Sequence, residues 1–290
     1  MANPADHSHE RGLALVSVLW ALSILSVIAA SFLAITRSSH QLEVGSRNRA
    51  ELQAIAEAGV MRAVLGITDR RADHRWRVDG VPIAFAFAGA TLSVRVEDQF
   101  GKIDINMADA TLLKGLFSAT AKVPDLADTL TDRVLDWREN DDLRRARAGN
   151  TNDAPTGPGY TPRRGSFQSV DELLLVPGIT PQIFARIRPA LTVYSQRPAV
   201  DVRVASREAL LALPTMDENK VSDILARRDR DSATTGNRLP PGIIDPAIPL
   251  GGRAFAIKVA VQNQRGAANL DTIVRLTTDL RRPYWILSWQ

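Results

Sequence analysis

Carboxylate side chains cluster in one part of the sequence, next to a segment at 146–162 that is rich in Gly, Pro, Asn and Thr. Calcium binds several oxygen ligands in a loose geometry, and a flexible loop of this composition can supply them. The spacing is not that of an EF-hand loop. The cluster consists of Asp136, Glu139, Asp141, Asp142 and Asp153, and the candidate calcium ligands among them are Asp141, Asp142 and Asp153. The simpler alternative is that neighbouring arginines pair with these carboxylates; they are Arg144, Arg145 and Arg147.

No other arrangement of residue types in the sequence points to catalysis. Paired carboxylates for hydrolysis, a nucleophile elbow, a P-loop and a zinc motif are all absent. There is no Cys, so neither disulfides nor thiolate chemistry is available. The histidines argue against a His-based site, because His7, His9 and His40 lie in the N-terminal region and His74 stands in a basic segment. We therefore expect no enzymatic activity.

Length and charge set broad limits on the organisation of the chain. The 290 residues are enough for a membrane span and roughly two compact units outside the membrane. The formal net charge of +4 is small for this length and is spread along the chain. Charge alone therefore favours neither a polyanionic partner nor its absence.

The most distinctive stretch is the apolar run from Leu13 to Ile35, which no charged residue interrupts. As a helix it reaches about 35 Å, which is enough to cross a hydrocarbon core of about 30 Å. Apolar residues then recur every three or four positions, so the sequence predicts a transmembrane helix at 13–35 that continues as an amphipathic stem helix at 36–68. A cleaved secretory signal and a simple uncleaved anchor are the alternatives. The distribution of arginines does not decide the orientation.

Period-two alternation predicts strands at both ends of the remaining chain. Ile83, Phe85 and Phe87 alternate with small residues, a turn follows at Gly89, and a second strand starts near Leu92, which together form a hairpin with a buried face. Further strands are predicted in 246–290, around a turn at Gly266 and in the apolar closing segment 284–289. Because the intervening 103–245 looks helical, we expect one antiparallel sheet, formed by 69–102 and 246–290, that is interrupted by an insertion. Its edges must be covered or paired.

Two segments of the predicted insertion look like helix-hairpin-helix units of the SAM-like type. The first has apolar helices on either side of the turn Pro177-Gly178, and a weaker copy turns at Pro214. Such units bind DNA backbones through turn glycines that expose amide groups to a phosphate. Here Thr180 and Asp217 occupy positions that favour glycine, and an aspartate repels phosphate. Cations remain available in Arg186, Arg188, Arg227, Arg228 and Arg230. Structural packing is favoured over nucleic-acid binding.

The N-terminus resembles the class III signal of type IV pilins and pseudopilins, because a charged leader, 1–12, ends in Gly12 and the apolar helix follows at once. The resemblance implies that a prepilin peptidase cuts between Gly12 and Leu13 and methylates the new N-terminus. The fifth mature residue is then Ser17, where most members of the family have Glu. In the fibre that Glu pairs with the N-terminal amine of a neighbouring subunit, so its absence suits a subunit with nothing above it.

Motifs along the rest of the chain resemble the K-type minor pseudopilins of type II secretion. They are Gly101–Asn106, Asp136–Arg138, Asn140–Asp142, Phe167–Leu173 and Leu211–Pro214. The resemblance implies an α+β fold in which a long N-terminal helix packs on a pilin-like antiparallel sheet and an α-helical domain is inserted into that sheet. It also implies calcium in the inserted domain, although an arginine-rich stretch replaces the usual acidic residues after Asp142.

These features lead to an expected function and an alternative. The expected protein is a minor pseudopilin at the tip of the type II secretion pseudopilus, where it helps to initiate, cap or limit the fibre. Its expected partners are other minor pseudopilins, the major pseudopilin, the prepilin peptidase and inner-membrane lipid. It would be a single-pass inner-membrane protein with a cytoplasmic N-terminus and most of its chain in the periplasm. The alternative is a membrane-tethered nucleic-acid-binding protein of the DNA-uptake type.

Overall fold

The computed structural model describes residues 8–139, 163–238, 250–279 and 281–290. The chain divides into two compact units, Met1–Ala54 and Ile55–Gln290. The first contains most of one helix, and the second contains the end of that helix, a five-stranded sheet and a mainly helical insertion.

Helix α1 runs without interruption from Ser8 to Ile67, over 60 residues. One long N-terminal helix was predicted, and this is what the structure has. Within the described ranges, no helix is both long enough and apolar enough to cross a membrane. The span at 13–35 therefore stays a prediction.

The sheet is antiparallel throughout, with the strand order β1-β2-β5-β6-β7. Its strands are β1 (Ile83–Phe87), β2 (Ala90–Asp98), β5 (Ala254–Asn263), β6 (Gly266–Leu276) and β7 (Tyr284–Trp289). Strands β2 and β5 are neighbours in the sheet, although more than half of the chain lies between them in the sequence. Strand β1 begins shortly after the end of α1. The predicted sheet with an insertion is therefore present.

The first hairpin closes with a two-residue turn that suits the twist of the strands. Ala88 and Gly89 both have positive φ, 49° and 74°, as in a type I′ turn. The predicted buried face is only partly buried. Ile83 is 4% exposed but Phe87 is 49% exposed, because β1 is an edge strand and its far end extends beyond the core.

Within the second unit, the end of α1 packs closely on one face of the sheet. Gly59 marks the closest approach, because a Cβ there would lie 2.8 Å from Val259 Cγ1 and 3.1 Å from Leu92 Cδ2. The small side chains of Ala56 and Ala63 are fully buried on the same helix. Small residues at helical spacing let the helix axis approach the strands, and apolar side chains of β2 and β5 fill the layer between them.

The insertion is built from short helices around a separate apolar core. Its helices are α2 (Ala110–Gly115), α3 (Ala127–Arg138), α4 (Pro181–Ile187), α5 (Arg207–Leu211) and α6 (Glu218–Thr235). Helix α2 continues as a π-helical turn, Leu116–Thr120, and a 3₁₀ helix, Val170–Leu175, precedes α4. A two-residue parallel pair, β3 (Ile103–Asp104) with β4 (Leu191–Thr192), ties the beginning of the insertion to its middle.

Candidate functional site

The predicted processing residues lie in the first turns of α1. Gly12, Leu13 and Ser17 all have helical backbone, and the side chain of Ser17 is exposed. The contacts that the structure describes in this part of α1 do not test peptidase cleavage between Gly12 and Leu13. The processing site and the role of Ser17 therefore remain predictions from the sequence.

The part of α1 from Val16 to Ile28 exposes large apolar side chains. Trp20 is 70% exposed and Leu25 is 64% exposed, and valines, leucines and isoleucines around them are about as accessible. A helix that is apolar on all sides is typical of a membrane span or of a helix buried in a bundle. The predicted membrane span includes this exposed segment.

A fully buried ion pair connects the sheet to the insertion. Arg253, which lies directly before β5, has no exposed area, and its Nη2 is 2.6 Å from Oδ2 of Asp98 at the end of β2. The same Nη2 is 3.5 Å from Oδ2 of Asp201, which belongs to the insertion. The guanidinium also lies over the ring of Phe100, 4.5 Å from its centroid. We call Asp98, Phe100, Asp201 and Arg253 the Arg253 cluster.

The Arg253 cluster sits where the chain leaves the sheet and where it returns. Phe100 follows β2, and its carbonyl oxygen accepts a hydrogen bond of 2.8 Å from the amide of Asp201. The guanidinium of Arg253, at the returning end of the insertion, therefore contacts its departing end and a loop within it. Among the described residues, Nε and Nη1 of Arg253 have no hydrogen-bond partner. The pair consequently lacks part of the compensation that a buried cation needs.

Burial dominates the titration of Asp98. It raises the pKa of Asp98 to about 6, although the charge of Arg253 and the amide of Phe100 act in the opposite direction. Burial also acts to raise the pKa of Asp201, but hydrogen bonds and charge from Arg203 and the charge of Arg253 outweigh it, so that pKa lies below its ordinary value. The cluster thus contains one carboxyl that titrates in a mildly acidic range.

The turn Pro177-Gly178 of the first predicted hairpin unit is packed against α3. Arg133 Nη1 donates a hydrogen bond of 2.8 Å to the carbonyl of Pro177. Gly178 has a φ of +88°, and a Cβ there would lie 2.7 Å from Arg133 Nη1 and 3.0 Å from Leu130 Cδ2. Leu130 and Arg133 therefore occupy the side of the turn that the missing Cβ leaves open.

The second predicted unit turns at Pro214, which is exposed, and leads into α6. Asp217 accepts a hydrogen bond of 2.8 Å from the amide of Lys220, and the pKa of Asp217 lies below its ordinary value because of this bond. A carboxylate that caps a helix in this way keeps negative charge at the position where a phosphate would bind. This local geometry disfavours phosphate binding at the turn.

Several of the cations considered for a phosphate contact have protein partners. Arg186 donates to the carbonyl of Ala121 at 2.8 Å, and Arg228 donates to the carbonyl of Ala205 at 2.6 Å and to that of Val202. Arg188 lies 3.5 Å from a carboxylate oxygen of Asp171. These contacts tie parts of the insertion together and weaken the nucleic-acid alternative.

Gly178→Ala tests whether this turn is a packing element. We expect a loss of about 2 kcal/mol in unfolding free energy, since a left-handed backbone strains an alanine and the new methyl group displaces Arg133. Chemical denaturation of the full chain in detergent measures it.

The matched control is Gly236→Ala, because Gly236 also has a positive φ, +63°, but has nothing within 4 Å of its Cβ position. The two substitutions share the backbone strain and differ in packing. Equal losses in both variants would contradict the packing role.

The candidate calcium ligands Asp141, Asp142 and Asp153 lie outside the described residues. Over the described ranges, no group of three or more His, Cys, Asp or Glu side chains is arranged to hold a metal ion. Next to this region, Arg138 donates hydrogen bonds of 2.7 and 2.6 Å to the carbonyls of Ile105 and Ala108. The calcium site remains a prediction.

A cleft of about 200 Å³ lies between the insertion and the sheet face that points away from α1. Its charged lining is largely paired, with Lys102 Nζ 2.8 Å from Glu97 Oε2. The charges of Lys102, Lys258 and Arg95 outweigh the effect of burial and hold the pKa of Glu97 below its ordinary value. The described lining therefore carries charges of both signs, and one close ion pair lies within it.

Sequence reasoning did not find the Arg253 cluster. Asp201 and Arg253 are far from Asp98 and Phe100 in the sequence, and a single arginine before a strand normally indicates a solvated position. One signal was available, since an acidic residue ends the strand before the insertion and a basic residue lies directly before the strand after it.

Two of three comparisons with known proteins give a match, and both matches are to components of type II secretion systems. Residues 95–196 match the model of the family described as type II secretion system (T2SS), protein K. Among solved structures, the fold is similar to a chain of the GspK-GspI-GspJ complex from the type 2 secretion system of enterotoxigenic Escherichia coli, with a TM-score of 0.50, 11% identity, and coverage of 88% of this chain and 98% of that chain. No match was found among curated protein sequences. At this identity the structural likeness shows the fold alone.

Proposed function

We propose that this chain is a type II secretion minor pseudopilin of the K type, which occupies the tip of the pseudopilus and there helps to start, cap or limit the fibre. The premise is the protein K domain at 95–196. The similar structure belongs to a complex of GspK, GspI and GspJ. By analogy, the partners of this chain are the other minor pseudopilins of the same secretion system, with the major pseudopilin below them.

The long helix supplies the anchor and the contact with the rest of the fibre. In this proposal a prepilin peptidase removes the leader 1–12, cuts between Gly12 and Leu13, and the segment 13–35 crosses the inner membrane before assembly. The exposed apolar side chains between Val16 and Ile28 support this role, because such a surface needs lipid or neighbouring helices around it. The sheet and the insertion then lie in the periplasm.

The observation that carries the tip position is the place of the insertion. It leaves the sheet after Asp98 and returns at Arg253, so it projects from the ends of two central strands. In a fibre of identical helical steps, a subunit above would have to share this space. Ser17 supports the same position, since a subunit without the usual Glu cannot neutralise the amine of a subunit above it.

Replacing 99–253 by a four-residue Gly/Asn turn tests the steric claim. Asp98 lies directly opposite Phe255 in the β2–β5 pair, and partners in such a pair are about 5 Å apart, so a short turn can close the sheet. We expect pseudopili longer than those of the wild type by severalfold when the major pseudopilin is overproduced, as measured by electron microscopy.

The control is co-purification of the shortened chain with the other minor pseudopilins, which shows that it folds and still enters the tip complex. Fibres of unchanged length, together with intact co-purification, would count against the tip position.

The candidate calcium ligands are outside the described residues, so calcium enters no step of this proposal.

A further inference from the structure

Strand β7 is an edge strand with the composition of an interior strand. It contains no charged residue, and its apolar side chains point to both faces of the sheet. Trp285 is 55% exposed, Ile286 51%, Leu287 37% and Trp289 39%. Natural edge strands are usually protected by charge, proline, brevity or a bulge, whereas strands that are apolar on both faces are usually buried. β7 has a bulge at Leu287 and follows Pro283, but these features leave its apolar side chains exposed.

The backbone of β7 is open along one side. Thr277 N donates to Pro283 O, and Gln290 exchanges two hydrogen bonds of 2.9 Å with Asp271, so these positions face β6. A β-bulge interrupts the ladder, because Ser288 lies opposite Ile273 and Ile286 lies opposite Val274, so Leu287 is an extra residue in β7. Counting from Pro283 before the bulge and from Gln290 after it, Tyr284, Ile286 and Trp289 direct their N–H and C=O groups to the side away from β6. Within the described ranges, no other strand pairs with that side.

The exposed apolar surface extends from β7 onto the end of α1. The hydroxyl of Tyr284 donates a hydrogen bond of 2.9 Å to Met61 Sδ. Met61 is 42% exposed and Leu65, one turn later, is 65% exposed. We call β7 together with Met61 and Leu65 the β7 edge surface. A six-residue strand offers only about 20 Å of edge, so this helical part is needed to reach the roughly 800 Å² per partner of a stable interface.

Positive charge lies at the N-terminal end of β7. Arg281 and Arg282 are exposed, and the guanidinium of Arg282 lies 5.9 Å from the centre of the Trp285 ring. The nearest acidic residue in the sequence, Asp279, accepts a hydrogen bond of 2.8 Å from the amide of Arg281 as part of the turn. A strand that pairs with β7 therefore meets two cations at one end, which favours acidic residues in the partner there.

We propose that the β7 edge surface binds an extended apolar segment of a neighbouring minor pseudopilin, with acidic residues beside Arg281 and Arg282, as an added strand of the sheet. This inference rests on the proposed function, which supplies the class of partner. Backbone hydrogen bonds to Tyr284, Ile286 and Trp289 fix the segment, and alternate side chains cover Ile286 and the adjoining helix. The surface is then an interior layer in the assembled tip.

The test uses the full chain, co-expressed with the I-type and J-type minor pseudopilins of the same secretion system and purified in detergent. Ile286→Lys places a charge in the interface, and the matched control Phe87→Lys changes an equally exposed residue, 49% against 51%, on the opposite edge strand. We expect Ile286→Lys to weaken the complex at least tenfold and Phe87→Lys to leave it unchanged. Both substitutions are at exposed positions, so each should alter stability by only about 0.5 kcal/mol.

Hydrogen exchange provides a second readout that needs no variant. In the complex, the amides of 284–289 should exchange at least tenfold more slowly than in the chain alone, while those of 83–87 remain unchanged. Unchanged exchange in 284–289, or equal effects of the two lysine substitutions, would overturn the inference and leave the proposed function intact. Self-association of the chain that Ile286→Lys abolishes would assign the edge to a second copy and also overturn it. Failure of the wild-type chain to bind either pseudopilin would instead refute the proposed function and the inference together.

Discussion

Arg253→Met should lower the free energy of unfolding at pH 7 by about 3 to 5 kcal/mol, since it removes one partner of a fully buried ion pair. Methionine fills a similar volume, so most of the loss comes from electrostatics. Asp98 would stay buried with no cation beside it, and Asp201 would lose a charge at 3.5 Å. Denaturant unfolding of the full chain in detergent measures the loss.

The effect of Arg253→Met should depend on pH. Asp98 in the folded wild type has a pKa of about 6, above the ordinary 3.8, because burial penalises its charged form. At pH 5 most of this carboxyl is already neutral in the folded protein, so its ion pair with Arg253 is largely absent there. We therefore expect the loss caused by Arg253→Met to be smaller at pH 5 than at pH 7.

The same shift has a consequence in the wild type. A folded-state pKa above the unfolded value means that the folded state binds the proton more tightly. Protonation of Asp98 therefore stabilises the folded state. This contribution to the free energy of unfolding is fully present below pH 3.8 and is lost as the pH rises through 6. The whole shift corresponds to about 3 kcal/mol, and most of this change falls between pH 4 and pH 7.

Asp98→Asn provides the comparison, because it removes the titration and keeps the shape of the side chain. The unfolding free energy of the wild type minus that of Asp98→Asn should decrease as the pH rises from 4 to 7. A difference that stays constant over this range would mean that Asp98 keeps an ordinary pKa. The double variant Asp98→Asn with Arg253→Met should be more stable at pH 7 than Arg253→Met alone, since it contains no unpaired buried carboxylate.

Gly115→Ala is expected to be the second most damaging single change, with a loss of about 3 kcal/mol. Gly115 ends α2, and a Cβ there would lie 2.0 Å from the carbonyl oxygen of Ala212. The obstacle is backbone rather than a flexible side chain, so α2 and the segment after α5 must move apart. Alanine is a better helix former than glycine by about 1 kcal/mol, but this gain is too small to offset the clash.

Gly165→Ala is the control for Gly115→Ala. Gly165 has nothing within 4 Å of its Cβ position and no positive φ, so this change should alter stability by less than about 0.5 kcal/mol. Thermal unfolding, followed by circular dichroism of the full chain in detergent, measures both. A Gly115→Ala variant as stable as the wild type would show that the two segments separate without cost.

Local pattern was enough to predict much of the architecture. The period of the apolar residues predicted α1 as one long helix, and the alternation at 83–96 and 254–289 predicted the hairpin and the strands near the C-terminus. These predictions succeeded because the helical period and the strand period are short-range properties of a chain. The burial of Phe87 was predicted wrongly, because alternation identifies which face of a strand is buried but not how far the core extends along the strand.

The candidate sites divide in the same way. Each of several candidate sites is contiguous in the sequence, which displays it directly. They are the predicted processing residues Gly12 and Leu13, the turns at Pro177 and Pro214, and the motifs that resemble those of K-type pseudopilins. The Arg253 cluster and the contact of Gly115 with Ala212 join residues that are distant in the chain. No periodicity relates such residues.

The sequence by itself therefore determined the type and order of the elements, the insertion within the sheet and the apolar N-terminal helix. The tertiary structure alone decided that Arg253 is buried where the insertion joins the sheet and that β7 is an edge strand. It also decided that Arg133 occupies the space beside Gly178 where a Cβ would lie. The physical reason is that burial, pairing and strand order depend on which distant segments meet. The spacing of apolar residues along a helix or strand can be read from neighbouring residues. Contacts between distant segments are specified only by the packing of the whole fold.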